Sequence, residues 1–416
     1  MYLFFWIAFS TLSEAISQFV LRISSSTGCL SDFLFNIPGL VATLLVLASL
    51  LVWSTVQTKH HQSKWVRPNR ILTSGQHHHG GAFIDTGSLY SLAIMEFDEQ
   101  GMFFQRSHMT ELMEWLDQNA GKNAIILTFN HGWRHNASKG DGNLLAFKDV
   151  LADVWQGEQK RSTGRISRPL LGVFIAWQGK PYLHGVDLIS FWNRSRRAAI
   201  VAQGSVREVH ARLSKYRADE LKGWGDMTPK GYEKAVLVHV GHSFGAYMLY
   251  VVQAQALMTA AVDPKYRLFT ADLVILINPA FAAISYLPLE ALLITQQDGT
   301  AMPAAPVFIA ITSQADYATK WLFKIGKFFD VFTEGFSNDF QRHALHTTIG
   351  HTIRLKTHEL TSINEGVFDL KRSSQQAVPP FWIVSASKEV IPNHSDIFGL
   401  TFKAFLLDII AARLTL

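Results

Sequence analysis

Six short apolar runs recur along the last three-quarters of the chain, at 124–129, 170–177, 235–240, 273–277, 307–312 and 381–385, each bounded by turn residues. Runs of this length without polar alternation suit strands covered on both faces, and such strands belong to parallel sheets flanked by helices. Helical patterns at 144–154 and 206–216 lie between them. An alternation of buried strands and helices predicts an α/β architecture with a mostly parallel sheet and helices on both sides. Two roomy gaps, 178–234 and 317–380, read as insertions. Upstream, 89–97 and 102–105 flank Asp98-Glu99-Gln100-Gly101, a hairpin signal. Met109, Leu112, Met113 and Leu116 then form the apolar stripe of a short helix entered from Ser107.

The third run leads into Gly241-His242-Ser243-Phe244-Gly245, and helical sequence follows from Ala246. Strand, Gly-x-Ser-x-Gly and helix in this order form a sharp turn. It exposes the serine hydroxyl above the sheet and admits only very small residues two positions to either side. A serine hydroxyl is a poor nucleophile at neutral pH. It needs a histidine to take its proton, a carboxylate to orient that histidine, and backbone donors aimed at the developing oxyanion. In an open α/β sheet all of these belong at the carboxyl ends of strands.

That rule selects candidates. Asp316 follows the run 307–312 after a short turn. Asp272 precedes a strand, Asp141 comes early in chain order, and Asp330 falls inside a gap. His394 lies between the last run and the final helical stretch 397–414, whereas His351 and His358 follow no apolar run. The first run enters Asn130-His131-Gly132-Trp133, where an amide of Gly132 or Trp133 can complement that of Phe244 in an oxyanion hole.

The order Ser243, Asp316, His394, the Gly-His-Ser-Phe-Gly turn and the strand series resemble the α/β-hydrolase superfamily over residues 88–416. The segment His131-Gly132-Trp133-Arg134-His135-Asn136-Ala137 resembles an esterase/lipase-like branch carrying His-Gly-Trp-x-His-Asn-Ala at that loop. The resemblance implies about eight strands, with nucleophile, acid and base on separate loops. It implies no metal or organic cofactor.

The amino terminus differs in kind. No charged residue occurs from Phe33 to Thr58, and 37–56 supplies a span of about 20 apolar residues, enough at ~1.5 Å per residue for a ~30 Å hydrocarbon core. Residues 1–58 therefore read as a membrane-anchor region with one transmembrane helix, and 59–87 as a polar linker. Residues 1–21 are also apolar, so a second pass stays open. Lys59, Lys64, Arg67 and Arg70 follow the span and only Arg22 precedes it, which places the large domain on the cytoplasmic side. Net charge is +5 without a basic stripe, and nucleic-acid binding is not expected. A single cysteine, Cys29, excludes an intrachain disulfide.

Together these features predict a membrane-anchored serine hydrolase acting on a small-molecule or lipid ester. Acyl transfer or amide cleavage at the same residues, and a non-catalytic binding protein that keeps the fold, stay open. The residues leave the oligomeric state open. An aromatic-rich stretch, Trp321 to Phe332 with Lys324 and Lys327, reads equally as a lid, an acyl-pocket wall or an ordinary buried helix.

Overall fold

The structure, a computed structural model, describes residues 71–73, 89–162, 166–179, 187–223, 234–295, 306–324, 335–373 and 380–414. All lie within the compact unit Gln62–Leu416. The expected anchor region 1–58, with its span at 37–56, lies outside the described residues, as does most of the expected linker 59–87.

Among the described residues, ten strands form one sheet: β1 Ile71–Thr73, β2 Ser91–Glu96, β3 Ile125–Asn130, β4 Leu170–Ala176, β5 Val236–His242, β6 Leu273–Ile277, β7 Phe308–Ser313, β8 His358–Asn364, β9 Val367–Arg372 and β10 Phe381–Ala386. Their order across the sheet is β1-β2-β4-β3-β5-β6-β7-β10-β8-β9. Every neighbouring pair from β2 to β8 is parallel, and β1 and β9 close the two edges antiparallel. Each of the six apolar runs is one of these strands, and β3 to β7 are buried along their whole length.

Side chains alternate between two cores, as strand geometry requires. Ile126, Leu237, Val274 and Leu276 face one core with α1 Ser107–Gln118, α3 Asp187–Gln203, α4 Val206–Gly223, α5 Phe244–Val262 and α6 Leu287–Thr295. Ile125, Leu127, Val238, Val240 and Ile275 face the other, where α2 Gly142–Arg161 and α8 Leu400–Leu414 contribute Phe147, Leu151, Phe402 and Phe405. Of all described helices, only α5 is long and apolar enough to cross a membrane, and half of it is buried among α3, β5 and β6. It is a core helix of the sheet layer.

The structure adds detail to three readings. Ile71–Thr73, inside the stretch read as linker, pairs antiparallel with β2. The hairpin after β2 reduces to a single bridge between Phe97 and Phe103, because β2 finds its long partner in β4, six residues in register. The two gaps carry structure that packs on the sheet layer. The first supplies α3 and α4; the second supplies α7 Asp339–His346 and the β8–β9 hairpin, which extends the sheet beyond β10.

Candidate active site

From β3 the chain crosses to β4 on one side, while β5, β6 and β7 proceed on the other. The direction of winding thus reverses between β3 and β5, and the carboxyl ends of strands beside such a reversal form a crevice. The loop after β3 and the turn after β5 both open there.

Ser243 terminates β5 and heads α5 with φ 57° and ψ −119°, a left-handed conformation that costs a non-glycine residue about 1–3 kcal/mol. Its surroundings hold it: the N–H donates to Ile277 O (2.9 Å), and the carbonyl accepts from Tyr247 N–H (3.1 Å). Glycine at 241 lets the turn close, since a Cβ there would lie 2.8 Å from Ala246 Cα.

Ser243 Oγ lies 2.7 Å from His394 Nε2, and His394 Nδ1 lies 2.9 and 2.8 Å from the two oxygens of Asp316. Asp316 is fully buried, directly after β7. Burial opposes its ionisation, but the neighbouring His394 and hydrogen bonds from His394 and Thr319 outweigh it and hold the carboxyl below its usual range. An ionised Asp316 only accepts, so Nδ1 carries the histidine's proton, Nε2 presents a lone pair, and Ser243 Oγ–H donates to it. Chain order pointed to these three residues, and the structure brings them together. The rivals lie elsewhere: Asp272 pairs with Arg217 at the amino end of β6, and Asp141 caps α2 by accepting from the Asn143 and Leu144 N–H groups.

The loop after β3 presses against the serine. A Cβ on Gly132 would stand 2.9 Å from Ser243 Cβ and 2.8 Å from His242 Nδ1. His131 pins this approach from below: Nδ1–H donates to Gly132 O (2.9 Å), Nε2 accepts from Trp177 N–H (3.1 Å), and its ring stacks on Trp177. Burial keeps His131 neutral, with its pKa lowered to about 4. At the far end of the loop, His135 Nδ1–H donates to Asp141 (3.1 Å). Phe244, the first residue of α5, places its amide at the positive end of that helix.

Four further residues serve the site without having been singled out in these roles. Thr319 donates Oγ1–H to Asp316 Oδ2 (2.6 Å) and its N–H to Oδ1 (3.1 Å). His351 in turn donates from Nε2 to Thr319 Oγ1 (3.0 Å), since that hydroxyl's one proton is engaged by the carboxylate. His242 and Asn278 both donate to the backbone carbonyl of His394, at 2.8 and 3.0 Å. Asn278 directly follows β6, so the strand-end rule contained its signal. Thr319 stands one helical turn beyond Asp316. Of the aromatic stretch, Phe323 is buried with Ala282 and Leu345, whereas Trp321 is 50% exposed, its ring 6.4 Å from that of Tyr317, the 73% exposed residue that follows Asp316 in sequence. Residues 325–334 lie outside the described residues. Among the described residues, no three His, Cys, Asp or Glu side chains group to hold a metal ion.

No family model matches the chain, and no curated protein does. One solved structure with a match is the phospholipase PlaB from Legionella pneumophila in complex with thio-NAD. It is 14% identical with a TM-score of 0.26, over 61% of this chain and 50% of that one. The chain therefore spans about half the length of that phospholipase chain. A likeness of this extent leaves the functional assignment to the geometry of the site.

Proposed function

We propose that the chain is a serine hydrolase of the α/β-hydrolase type that cleaves a carboxylic ester through an acyl-enzyme intermediate. The observation that carries this reading is the unbroken path from Ser243 Oγ through His394 to buried Asp316, with no step longer than 2.9 Å.

Ser243 Oγ bonds to the ester carbonyl carbon while its proton passes to His394 Nε2, and the carbonyl electron pair moves onto oxygen. Amides at Phe244 and around Gly132–Trp133 stabilise that oxyanion. Collapse breaks the ester C–O bond, and the departing alkoxide takes the proton from His394. A water then gives a proton to His394 and attacks the acyl carbon. The carboxylic acid leaves, and the proton returns to Ser243. Asp316 stays ionised throughout, stabilising the transient imidazolium and fixing its tautomer.

The proposed substrate is an ester with an apolar acyl chain, lipids included. Exposed Tyr317, which follows Asp316 in sequence, and Trp321, whose ring lies 6.4 Å from that of Tyr317, support an apolar approach to the site. The uncharged stretch 33–58, as a membrane anchor, would keep the domain at a bilayer, on its cytoplasmic side. A fluorophosphonate probe tests the chemistry: it should label the wild-type chain and spare Ser243→Ala. Folded wild-type protein that resists the probe, or equal labelling of the variant, overturns the reading. A panel of p-nitrophenyl esters of rising acyl length, with and without detergent, then defines the acyl preference.

A further inference from the structure

We infer that His242 and Asn278 are positioning residues that hold His394 by its backbone carbonyl, bracing the general base from the end opposite Asp316. The inference rests on the reading of Ser243, His394 and Asp316 proposed above.

An imidazole fixed only through Nδ1 still moves with its backbone, and His394 sits on an irregular loop whose neighbours Asn393, Ser395 and Asp396 are exposed. Two donors fill the two lone pairs of its carbonyl: His242 Nε2 at 2.8 Å and Asn278 Nδ2 at 3.0 Å. His242 precedes the nucleophile in sequence, so its bond ties the serine turn directly to the histidine loop. Asn278 ties the same loop to the rest of the sheet, because its Oδ1 accepts from Ser313 N–H (2.9 Å). Only one orientation of the amide satisfies both contacts. Ser313 Oγ–H adds a bond to Ile391 O (2.6 Å) in the same loop. Asn278 has φ 44°, a left-handed conformation that asparagine tolerates better than most residues.

The chemistry of position 242 narrows further. A carbonyl only accepts, so His242 carries its proton on Nε2. Burial, and then the neighbouring His394, push its pKa well below the ordinary value, and it stays neutral. Nδ1 is left as a buried lone pair with no hydrogen-bond partner, which costs stability. A phenylalanine of similar shape would avoid that cost, so what histidine adds here is the Nε2 donor. Its neutrality matters too. The two rings lie 5.2 Å apart, and a cationic His242 would oppose the charge that His394 acquires in each acyl-transfer step.

The test uses the full chain in detergent, with p-nitrophenyl butyrate as probe and circular dichroism with thermal melting to establish folding. His242→Phe and Asn278→Gly, the latter suited to the left-handed backbone, should each lower kcat about 10- to 100-fold with KM within about twofold. His242→Gln, which can present an amide N–H near the position of Nε2, should recover most of the loss. Asn278→Asp keeps the acceptor for Ser313 but turns an anionic oxygen on the carbonyl, and it should fall furthest. Folded His242→Phe and Asn278→Gly with kcat within twofold of wild type overturn the inference. So does a glutamine variant no better than phenylalanine. Ser243→Ala run in parallel separates the two readings: turnover surviving in that variant sinks the serine mechanism itself.

Discussion

Gly245 stands so close to the end of β3 that a Cβ on it would lie 2.1 Å from the carbonyl oxygen of Asn130. The next atom it would meet, His131 O at 2.4 Å, is also backbone, so no side chain can swing aside. This contact seats the first turn of α5 against the loop that carries Gly132. Gly245→Ala is expected to destabilise the fold by at least about 2 kcal/mol, the scale of overpacking in a dense core. It should also slow fluorophosphonate labelling of Ser243. Urea denaturation reads the first effect. Stability within experimental error of wild type would mean that the two loops part freely.

Asp316→Asn removes the anion that fixes the His394 tautomer, and ester turnover should fall by about 10⁴. Near-normal turnover would move the acid elsewhere. Thr319→Val keeps the side-chain shape but deletes the Oγ1–H donor to Asp316 Oδ2 and the acceptor of His351. A smaller loss in kcat is expected, about three- to tenfold, as for one hydrogen bond worth about 1 kcal/mol.

Stability should fall in mild acid because of histidines remote from the chemistry. His239 on β5 and His210 on α4 are buried edge to face between the sheet and α5, and Thr128 bonds to His239 Nδ1 (2.9 Å). Burial lowers His210 to about 3 and His239 well below its ordinary value. The unfolded chain therefore binds these protons near pH 6.5 while the folded chain refuses them. Stability is full above that pH and is lost as pH falls toward 3, by at most about 1.4 kcal/mol per unit for each histidine. Urea midpoints at pH 7.5 and 5.5 should differ, and less so in a His210→Gln/His239→Gln variant. Equal pH slopes in the two proteins would rule the pair out as the cause.

Arg168 gathers three distant parts of the chain. It forms a two-pronged ion pair with buried Glu158 on α2 (2.7 Å on each prong) and donates to the carbonyls of Lys234 before β5 and Leu414 at the end of α8. Glu158→Ala strands a buried guanidinium, and a loss of about 3–5 kcal/mol is expected in denaturant titration. Replacing Arg168 and Glu158 together by Met and Leu should recover much of it. If the double variant is as unstable as the single, the carbonyl contacts carry the stability instead.

Fold and site were unequally legible. A strand covered on both faces is written as an uninterrupted apolar run, so all six runs located strands. The β8–β9 hairpin escaped because its exposed side chains make His358–Asn364 and Val367–Arg372 mostly polar, and β1 because a three-residue edge strand leaves no period to count. At the site, the glycines around Ser243 announce a turn by local sterics alone. The donors on the His394 carbonyl announce nothing, since they are ordinary polar residues 152 and 116 positions away.

The amino-acid sequence by itself determined what depends on near neighbours: burial periodicity, the strained turn at Ser243, and the succession of strand ends from which Asp316 and His394 could be chosen. Strand order across the sheet was decided only in three dimensions. That order sets the ends of β3, β5, β6, β7 and β10 side by side. With them come the pairing of Gly132 with Ser243, of Asn278 with His394 and of Thr319 with His351. The reason is physical: a hydrogen bond needs its partners within about 3 Å, and only the assembled sheet brings residues so far apart in the chain to that distance.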